Sequence, residues 1–251
     1  TSAFEFAAVG VLADPEEAAR LADRYAGGVA LADGLASATR YWNHVTRGLR
    51  IRGGANAEAI DTFFPWVAQN AMIHLTVPHG LEQSGGAAWG TRDVCQGPVE
   101  FLLALDHDGP VREIIRSFFA QKFEARGDWP QWFMLEPYGR IRDRHSHGDV
   151  IIWPLKALCD YIEATGDVTL LDEPVAWRSD EDLTATTRRD PISAHVEKLL
   201  ATVRDRFIPD THLIRYGEGD WNDSLQPADP KMRDWMVSSW TVALLFQQLN
   251  R

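Results

Sequence analysis

The sequence predicts an all-α protein whose helices are separated by loops of very unequal length. Apolar residues recur at helical spacing in several segments, and no segment shows the apolar–polar alternation of a half-buried strand. Helices are predicted over 15–48, 57–77, 110–125, 148–165, 191–206 and 230–249. Long loops are predicted around 79–91, 126–147, 169–190 and 208–229. Loops of this length in a compact domain usually carry function.

Each helix is predicted from an apolar stripe or a boundary residue. The segment 15–48 is rich in Ala and Leu, and Asn56 is a possible N-cap for the helix that follows it. The stripe of that next helix is Ile60, Phe63, Phe64, Val67 and Ala71. The stripe of 110–125 is Val111, Ile114, Ile115, Phe118, Phe119 and Phe123, with Gly127 beyond its end.

The later helices follow the same logic. In 148–165 the aligned apolar residues are Ile151, Leu155, Leu158 and Ile162, and Gly166 ends the pattern. Pro154 predicts either a kink or a first-turn position. Helices alternating with long, Trp-bearing loops are what a toroid of helical hairpins would produce, and no repeat of fixed period indicates a solenoid.

Composition narrows the class of protein. The chain has 251 residues, 45% of them hydrophobic, which suffices for one large core, and a single domain is the default expectation. A formal charge of -11 argues against nucleic acid or an anionic membrane as partner. Cys95 and Cys159 suggest neither a disulfide framework nor a zinc site. Without an export signal or a long apolar run, a cytoplasmic location is expected.

Tryptophan is the most informative residue type, with ten in the chain. Trp89, Trp129, Trp132 and Trp221 fall in polar or Gly/Pro-bearing segments, not in apolar helical stripes. An indole offers a flat apolar face and one donor, which suits the C–H face of a pyranose ring. Alternatively, these residues seal the edge of a helical core, and their spacing alone does not decide between the two.

Three carboxylates, Glu218, Asp220 and Asp223, lie near Trp221 in a glycine-punctuated segment at 216–227. Crowded carboxylates disfavour one another's ionisation, so one acid is expected to stay protonated. Cleavage of a glycosidic bond requires such an acid, because the leaving oxygen must receive a proton. The alternative is a solvated turn; the spacing does not match a calcium-binding loop.

A second segment, 83–96, places Arg92 and Asp93 at the start of a helix, close to Trp89. The pair could hold two vicinal sugar hydroxyls. Alternatively, Asp93 caps the helix and Arg92 makes a surface ion pair.

A third set of candidates comprises Trp132 and the run His145, His147 and Asp149. A metal site is not predicted there, because the run lacks an obvious fourth ligand. Asp149 is expected to be an N-cap or a ligand of a sugar hydroxyl.

The motifs together resemble glycoside hydrolase family 94, which contains cellobiose, chitobiose and 1,2-β-oligoglucan phosphorylases. They are 83–96, the His-Gly-Asp and Trp-Pro of 147–154, the segment 165–174, and Gly219–Leu225, in that order. The amino-acid sequences of 89–98 and 219–230 are most similar to those of the 1,2-β-oligoglucan branch. The resemblance spans about 57–250 and implies an (α/α)6 barrel, incomplete in this chain. Residues 1–56 are then an N-terminal helical or linker segment, and 57–251 the N-terminal part of the barrel.

The resemblance also implies site residues. Asp223 is the expected general acid, and Trp221 borders the sugar at the cleaved bond. Arg92 and Asp93 correspond to a sugar-binding pair, and Gln96 belongs to the same segment. In the disaccharide-specific members an Asp follows this Gln, whereas in this chain the next residue is Gly97. Trp89, Trp132 and Asp149 complete the predicted substrate-binding set.

The implied reaction is inverting phosphorolysis of a β-linked gluco-oligosaccharide, which releases α-glucose 1-phosphate. It needs inorganic phosphate as co-substrate and no cofactor. In the family the barrel continues with phosphate-contacting segments. We therefore expect either that this sequence is a fragment or that the remainder lies in another chain or in a homo-oligomer, and we expect this polypeptide alone to have little activity. The alternatives are an inverting β-glucan hydrolase, with Glu218, Asp220 or a residue elsewhere as base, and a non-catalytic carbohydrate-binding fragment.

Overall fold

The computed structural model of the chain describes residue 8 and residues 14–26, 28–79, 88–222 and 224–251. These residues are mainly helical, so the all-α prediction is confirmed. The α-helices in the described residues are α1 Pro15–Tyr25, α2 Gly28–Val45, α3 Ala57–Thr76, α4 Thr91–Ala104, α5 Asp108–Phe119, α6 Trp153–Thr165, α7 Ile192–Asp205 and α8 Ser239–Leu249. None of them is long and apolar enough to cross a membrane.

The chain divides into two compact units, 1–62 and 63–251. In the first unit α1 packs on α2, and Asp14 caps α1 by accepting a hydrogen bond from the backbone N–H of Glu17 at 2.9 Å. The helical region predicted over 15–48 consists of two helices, α1 and α2. The break between α1 and α2 falls beside two consecutive glycines, and glycine disfavours a helix interior. The predicted domain boundary after residue 56 stays a prediction.

In the second unit α4, α5 and α6 pack on one another. The buried face of α5 is Val111, Ile114, Ile115, Phe118 and Phe119, which is the predicted stripe up to the end of the helix. The helix ends at Phe119 instead of 125, and Gly127 adopts a φ of +76° in the loop that follows. Helices packed side by side in chain order agree with part of a helical toroid.

Two predicted helices begin later than expected. α6 starts at Trp153, after a turn at 148–152, and Pro154 occupies its first turn, so the kink alternative is wrong. Gly166 ends α6 with φ +71°, as predicted. The predicted helix 230–249 consists of a 3-10 helix, Pro230–Asp234, and α8, which Ser238 caps.

The described residues also include a few short strands, which the sequence analysis does not locate. Three two-residue strands form a small antiparallel sheet in the order β1 Trp89–Gly90, β2 Trp132–Phe133, β3 Arg142–Asp143. A longer hairpin pairs β4 Pro174–Arg178 with β5 Ala185–Pro191 inside a predicted loop. Its apolar residues lie in β4, whereas β5 is polar and largely exposed, so no alternation marks it in the sequence.

Candidate active site

A buried ion pair connects the start of α4 with the turn before α6. Arg92 Nε donates to Asp149 Oδ2 at 2.9 Å, and Arg92 Nη2 donates to Oδ1 at 3.0 Å. Trp153 Nε1 also donates to Asp149 Oδ2, at 3.0 Å. The Asp149 side chain is fully buried and Arg92 nearly so. Asp149 therefore holds Arg92 in one orientation, in the two-pronged geometry that a guanidinium and a carboxylate favour.

Arg92 also anchors the segment that contains the predicted acid. Its Nη2 donates to the backbone oxygen of Asp220 at 2.8 Å. The Asp220 carboxylate is buried and accepts hydrogen bonds from Ser238 Oγ at 2.7 Å and from the Asn222 backbone N–H at 3.0 Å. Asp220 thus serves to shape the loop around Trp221.

The turn at 147–148 fixes the same loop from a second side. His147 Nδ1 lies 3.0 Å from the backbone oxygen of Asp220, and Gly148 N–H donates to Gly219 O at 2.7 Å. A Cβ on Gly148 would lie 2.6 Å from Tyr216 O, so only glycine permits this approach. Gly219 itself has a φ of +146°. The sequence dictates this geometry locally through its glycines.

Tyr216 closes the base of the loop. Its hydroxyl donates to Leu225 O at 2.5 Å. Burial raises the pKa of Tyr216 above its usual value, and the negative charge of Asp220 acts in the same direction. Tyr216 therefore remains a neutral hydrogen-bond donor at physiological pH.

Trp221 is the most accessible aromatic residue of this loop, with 55% of its surface exposed. Its ring centroid lies 6.3 Å from that of Trp240 on α8, which in turn lies 6.4 Å from that of Trp153. A row of indoles thus leads from the buried ion pair to solvent. An exposed indole beside carboxylates is the arrangement expected where a sugar ring stacks.

Asp93 and Gln96 are one turn apart on α4 and both are partly exposed. The Asp93 carboxylate lies over Gly90, where no side chain competes for the space. Neither side chain makes a hydrogen bond with any residue in the described part of the chain. Sugar binding by Asp93 and Gln96 stays a prediction.

No protein-family model matches the chain. Over 195 residues the chain is 45% identical to a 1,2-beta-oligoglucan phosphorylase of Listeria innocua serovar 6a. The aligned part is 78% of this chain but only 18% of that protein. The chain is a relative of the 1,2-beta-oligoglucan phosphorylases. The predicted resemblance to the 1,2-β-oligoglucan branch is thereby confirmed, and the chain spans less than a fifth of the length of the relative it matches.

Two interpretations of the α4 residues of this chain are wrong. Arg92 does not make a surface ion pair, because its partner Asp149 is buried. Asp93 does not cap α4, since Gly90 is the N-cap residue and no side chain caps the helix. Asp149 is not the N-cap of α6 either, because that position is Ile152. The pairing of residues 57 positions apart has no signal in a single sequence.

The other tryptophans predicted to bind sugar lie in different environments from Trp221 in this chain. Trp89 is 6% exposed and stacks on Phe118, and its Nε1 donates to Leu75 O at 3.3 Å. Trp129 is fully buried, so it is part of the core. Trp132 is partly exposed on β2, opposite Gly90. Sugar binding by Trp89 and Trp132 stays a prediction.

Asp223 and the segment 80–87 lie outside the described residues, whereas Asn222 and Ser224 on either side of Asp223 are described. In the described part, no three His, Cys, Asp or Glu side chains are grouped as metal ligands would be. His145 Nδ1 lies 2.7 Å from Asp143 Oδ1 instead. Sequence reasoning did not find Ser238, because this serine is not unusual among its neighbours; it named Trp153 only as part of a motif, without a role.

Proposed function

We propose that the natural polypeptide carrying these residues is an inverting phosphorylase of the glycoside hydrolase family 94 type. Its proposed substrates are β-linked gluco-oligosaccharides, preferably β-1,2-linked, together with inorganic phosphate. The observation that carries this proposal is the 45% identity to a protein named 1,2-beta-oligoglucan phosphorylase. The identity extends over most of this chain.

In the proposed reaction a phosphate oxygen attacks the anomeric carbon from the face opposite the glycosidic oxygen. The carbon–oxygen bond breaks, and Asp223 transfers its proton to the departing oxygen, which becomes a hydroxyl of the shortened oligosaccharide. The new carbon–oxygen bond has α configuration, so the product is α-glucose 1-phosphate. The proton of the hydrogen phosphate then restores Asp223. No bond is oxidised or reduced, so phosphate is the only co-reactant that the reaction needs.

Rigid attachment of the loop supports this role. Arg92, His147 and Gly148 hold the backbone at 219–220 from two sides. A general acid must be positioned within hydrogen-bond reach of the leaving oxygen, and a loop fixed by buried contacts can supply that positioning. Trp221, two residues before the proposed acid, offers an exposed ring face for the adjacent sugar.

The hydrogen bonds of the nearby carboxylates bear on the choice between phosphorolysis and hydrolysis. A hydrolase that inverts configuration needs a second carboxylate to activate water. Both oxygens of Asp220 accept hydrogen bonds in a buried position, and a Glu218 oxygen accepts one from the Ser146 backbone N–H at 2.8 Å. Asp220 is therefore not well suited to be a base, whereas phosphate is already a nucleophile.

The test is the substitution Asp223→Asn in the natural polypeptide that carries these residues. Oligosaccharides of defined β-linkage are incubated with and without phosphate, and the products are identified by NMR of the anomeric proton. We expect turnover to fall by a factor of about 100 or more, because the proton donor is lost, while oligosaccharide binding in calorimetry survives. Asp205→Asn, on the exposed end of α7, is the matched control and should be fully active.

Three other outcomes would reject the proposal. Undiminished turnover of the Asp223→Asn variant would remove the assigned acid. Release of free sugar at the same rate without phosphate would identify a hydrolase. Oligosaccharide binding without any turnover, unaffected by the substitution, would identify a carbohydrate-binding protein.

A further inference from the structure

A cleft of about 390 Å³ lies on the side of the loop formed by Gly217 and Glu218. Its lining includes four arginines from separate parts of the chain: Arg126, Arg206, Arg215 and Arg233. We call it the arginine cleft. A volume of this size accommodates a small ligand. None of its described lining residues is aromatic, so it does not offer the stacking face that a sugar ring requires.

The charge of the arginine cleft opposes that of the chain. Its four guanidinium groups face three carboxylates, those of Asp128, Glu218 and Asp234, although the chain as a whole carries -11. A local excess of positive charge in an acidic protein attracts anions to that position.

Two of the three carboxylates already have partners within the protein. Asp128 is 1% exposed and is shared between Arg126, at 3.1 Å, and Arg206. Glu218 accepts the hydrogen bond from Ser146 already described. These contacts hold the walls of the cleft together. Because both carboxylates are already engaged, they do little to neutralise the other arginines of the cleft.

The remaining arginines are weakly engaged. Arg215 lies 3.5 Å from Asp234, whose side chain is 66% exposed, and an exposed pair of this kind contributes little. Arg233 Nη2 donates to Gln226 Oε1 at 3.0 Å, but its Nε is buried without a partner among the described residues. Arg215 and Arg233 can therefore turn to a ligand at small cost.

Ser146 supplies a second, independent observation. It lines the arginine cleft, is 4% exposed, and its Oγ is buried without a hydrogen-bond partner in the described part of the chain. Buried polar groups nearly always have partners. Ser146 Oγ can donate and Arg233 Nε can only donate, so an acceptor would satisfy both. Asp128 Oδ1, the third buried atom of the lining without a hydrogen bond, lies 3.1 Å from Arg126 Nη2.

We propose that the arginine cleft binds a phosphate group, either of inorganic phosphate or of a phosphate monoester. A phosphate offers several acceptor oxygens and no apolar face, and guanidinium groups bind it in a two-pronged manner. The bound group would contact the wall formed by Gly217 and Glu218, which leads directly into the segment anchored by Arg92. This inference is independent of the proposed function, because it concerns binding without turnover.

The experiment is calorimetric titration of the chain with inorganic phosphate and, separately, with glucose 1-phosphate. Ionic strength is kept constant with chloride. We expect saturable binding that Arg233→Gln weakens by about tenfold or more, because a charge-assisted hydrogen bond is lost. Ser146→Ala should weaken it in the same direction but less. Arg204→Gln, an exposed arginine of α7 outside the cleft, is the matched control and should bind as the unaltered chain does.

The two titrants distinguish the source of the phosphate. Tighter binding of the inorganic ion supports a site for free phosphate, and tighter binding of the sugar phosphate supports a site for a monoester. A response equal to that of chloride alone would overturn the proposal. So would equal affinity of the unaltered chain and Arg233→Gln, or equal weakening by Arg204→Gln. Circular dichroism of each variant checks that a loss of binding is not a loss of folding.

Discussion

Replacement of Arg92 by methionine tests whether the buried ion pair organises the site. The substitution keeps a long apolar side chain but removes the three described hydrogen bonds of the guanidinium, two to Asp149 and one to the backbone of Asp220. Asp149 would then be a fully buried carboxylate whose remaining described partner is the indole of Trp153.

The magnitude follows from that burial. Removing one partner of a buried ion pair costs about 3–5 kcal/mol, because the other charge stays uncompensated. The backbone oxygen of Asp220 loses a charged donor as well, which adds to the cost. An exposed pair contributes much less, so Arg20→Met, in the pair of Arg20 with Glu17, should change stability by less than about 1 kcal/mol.

The assay is urea unfolding of the chain, followed by circular dichroism, for Arg92→Met, Asp149→Leu and the double variant. The double variant removes both charges, so it should be more stable than the sum of the two single losses implies. A loss below about 1 kcal/mol for Arg92→Met would refute the reasoning, since a pair of such small value would not be buried and coupled. Simple additivity in the double variant would refute it too.

Two further substitutions test the buried charge and the close approach at the loop. Lys122 is buried, which lowers its pKa from 10.5 to about 7. The unfolded chain therefore binds more protons than the folded chain between these values, and the free energy of unfolding should rise with pH there by up to about 1.4 kcal/mol per unit. Lys122→Met should abolish that rise in urea titrations at pH 7 to about 10, and an unchanged slope would contradict the assignment. Gly148→Ala should cost about 1–3 kcal/mol in the same assay, because the new Cβ would press on Tyr216 O; Gly109→Ala, which meets nothing within 4 Å, is its control, and equal stability of the two would be contrary evidence.

Helices were predictable because their signal is local. The stripe on α5 and the stop at Gly166 depend on residues a few positions apart, and both agree with the structure. The hairpin of β4 and β5 was not predictable, because β5 is exposed and carries no alternating apolar residues. Likewise, the Ala/Leu-rich composition of 15–48 indicates helix but does not mark the break between α1 and α2.

For the candidate site, the sequence alone supplied the order of the motifs, and with it the relation to the 1,2-beta-oligoglucan phosphorylases. It left open whether Arg92 lies at the surface and whether Asp220 is a free acid. Only the tertiary structure decided these points, because the partners of Arg92 are 57 and 128 positions away and the Ser238 partner of Asp220 is 18 away. Hydrogen bonds and burial depend on distance in space, which the spacing of residues along one chain does not encode.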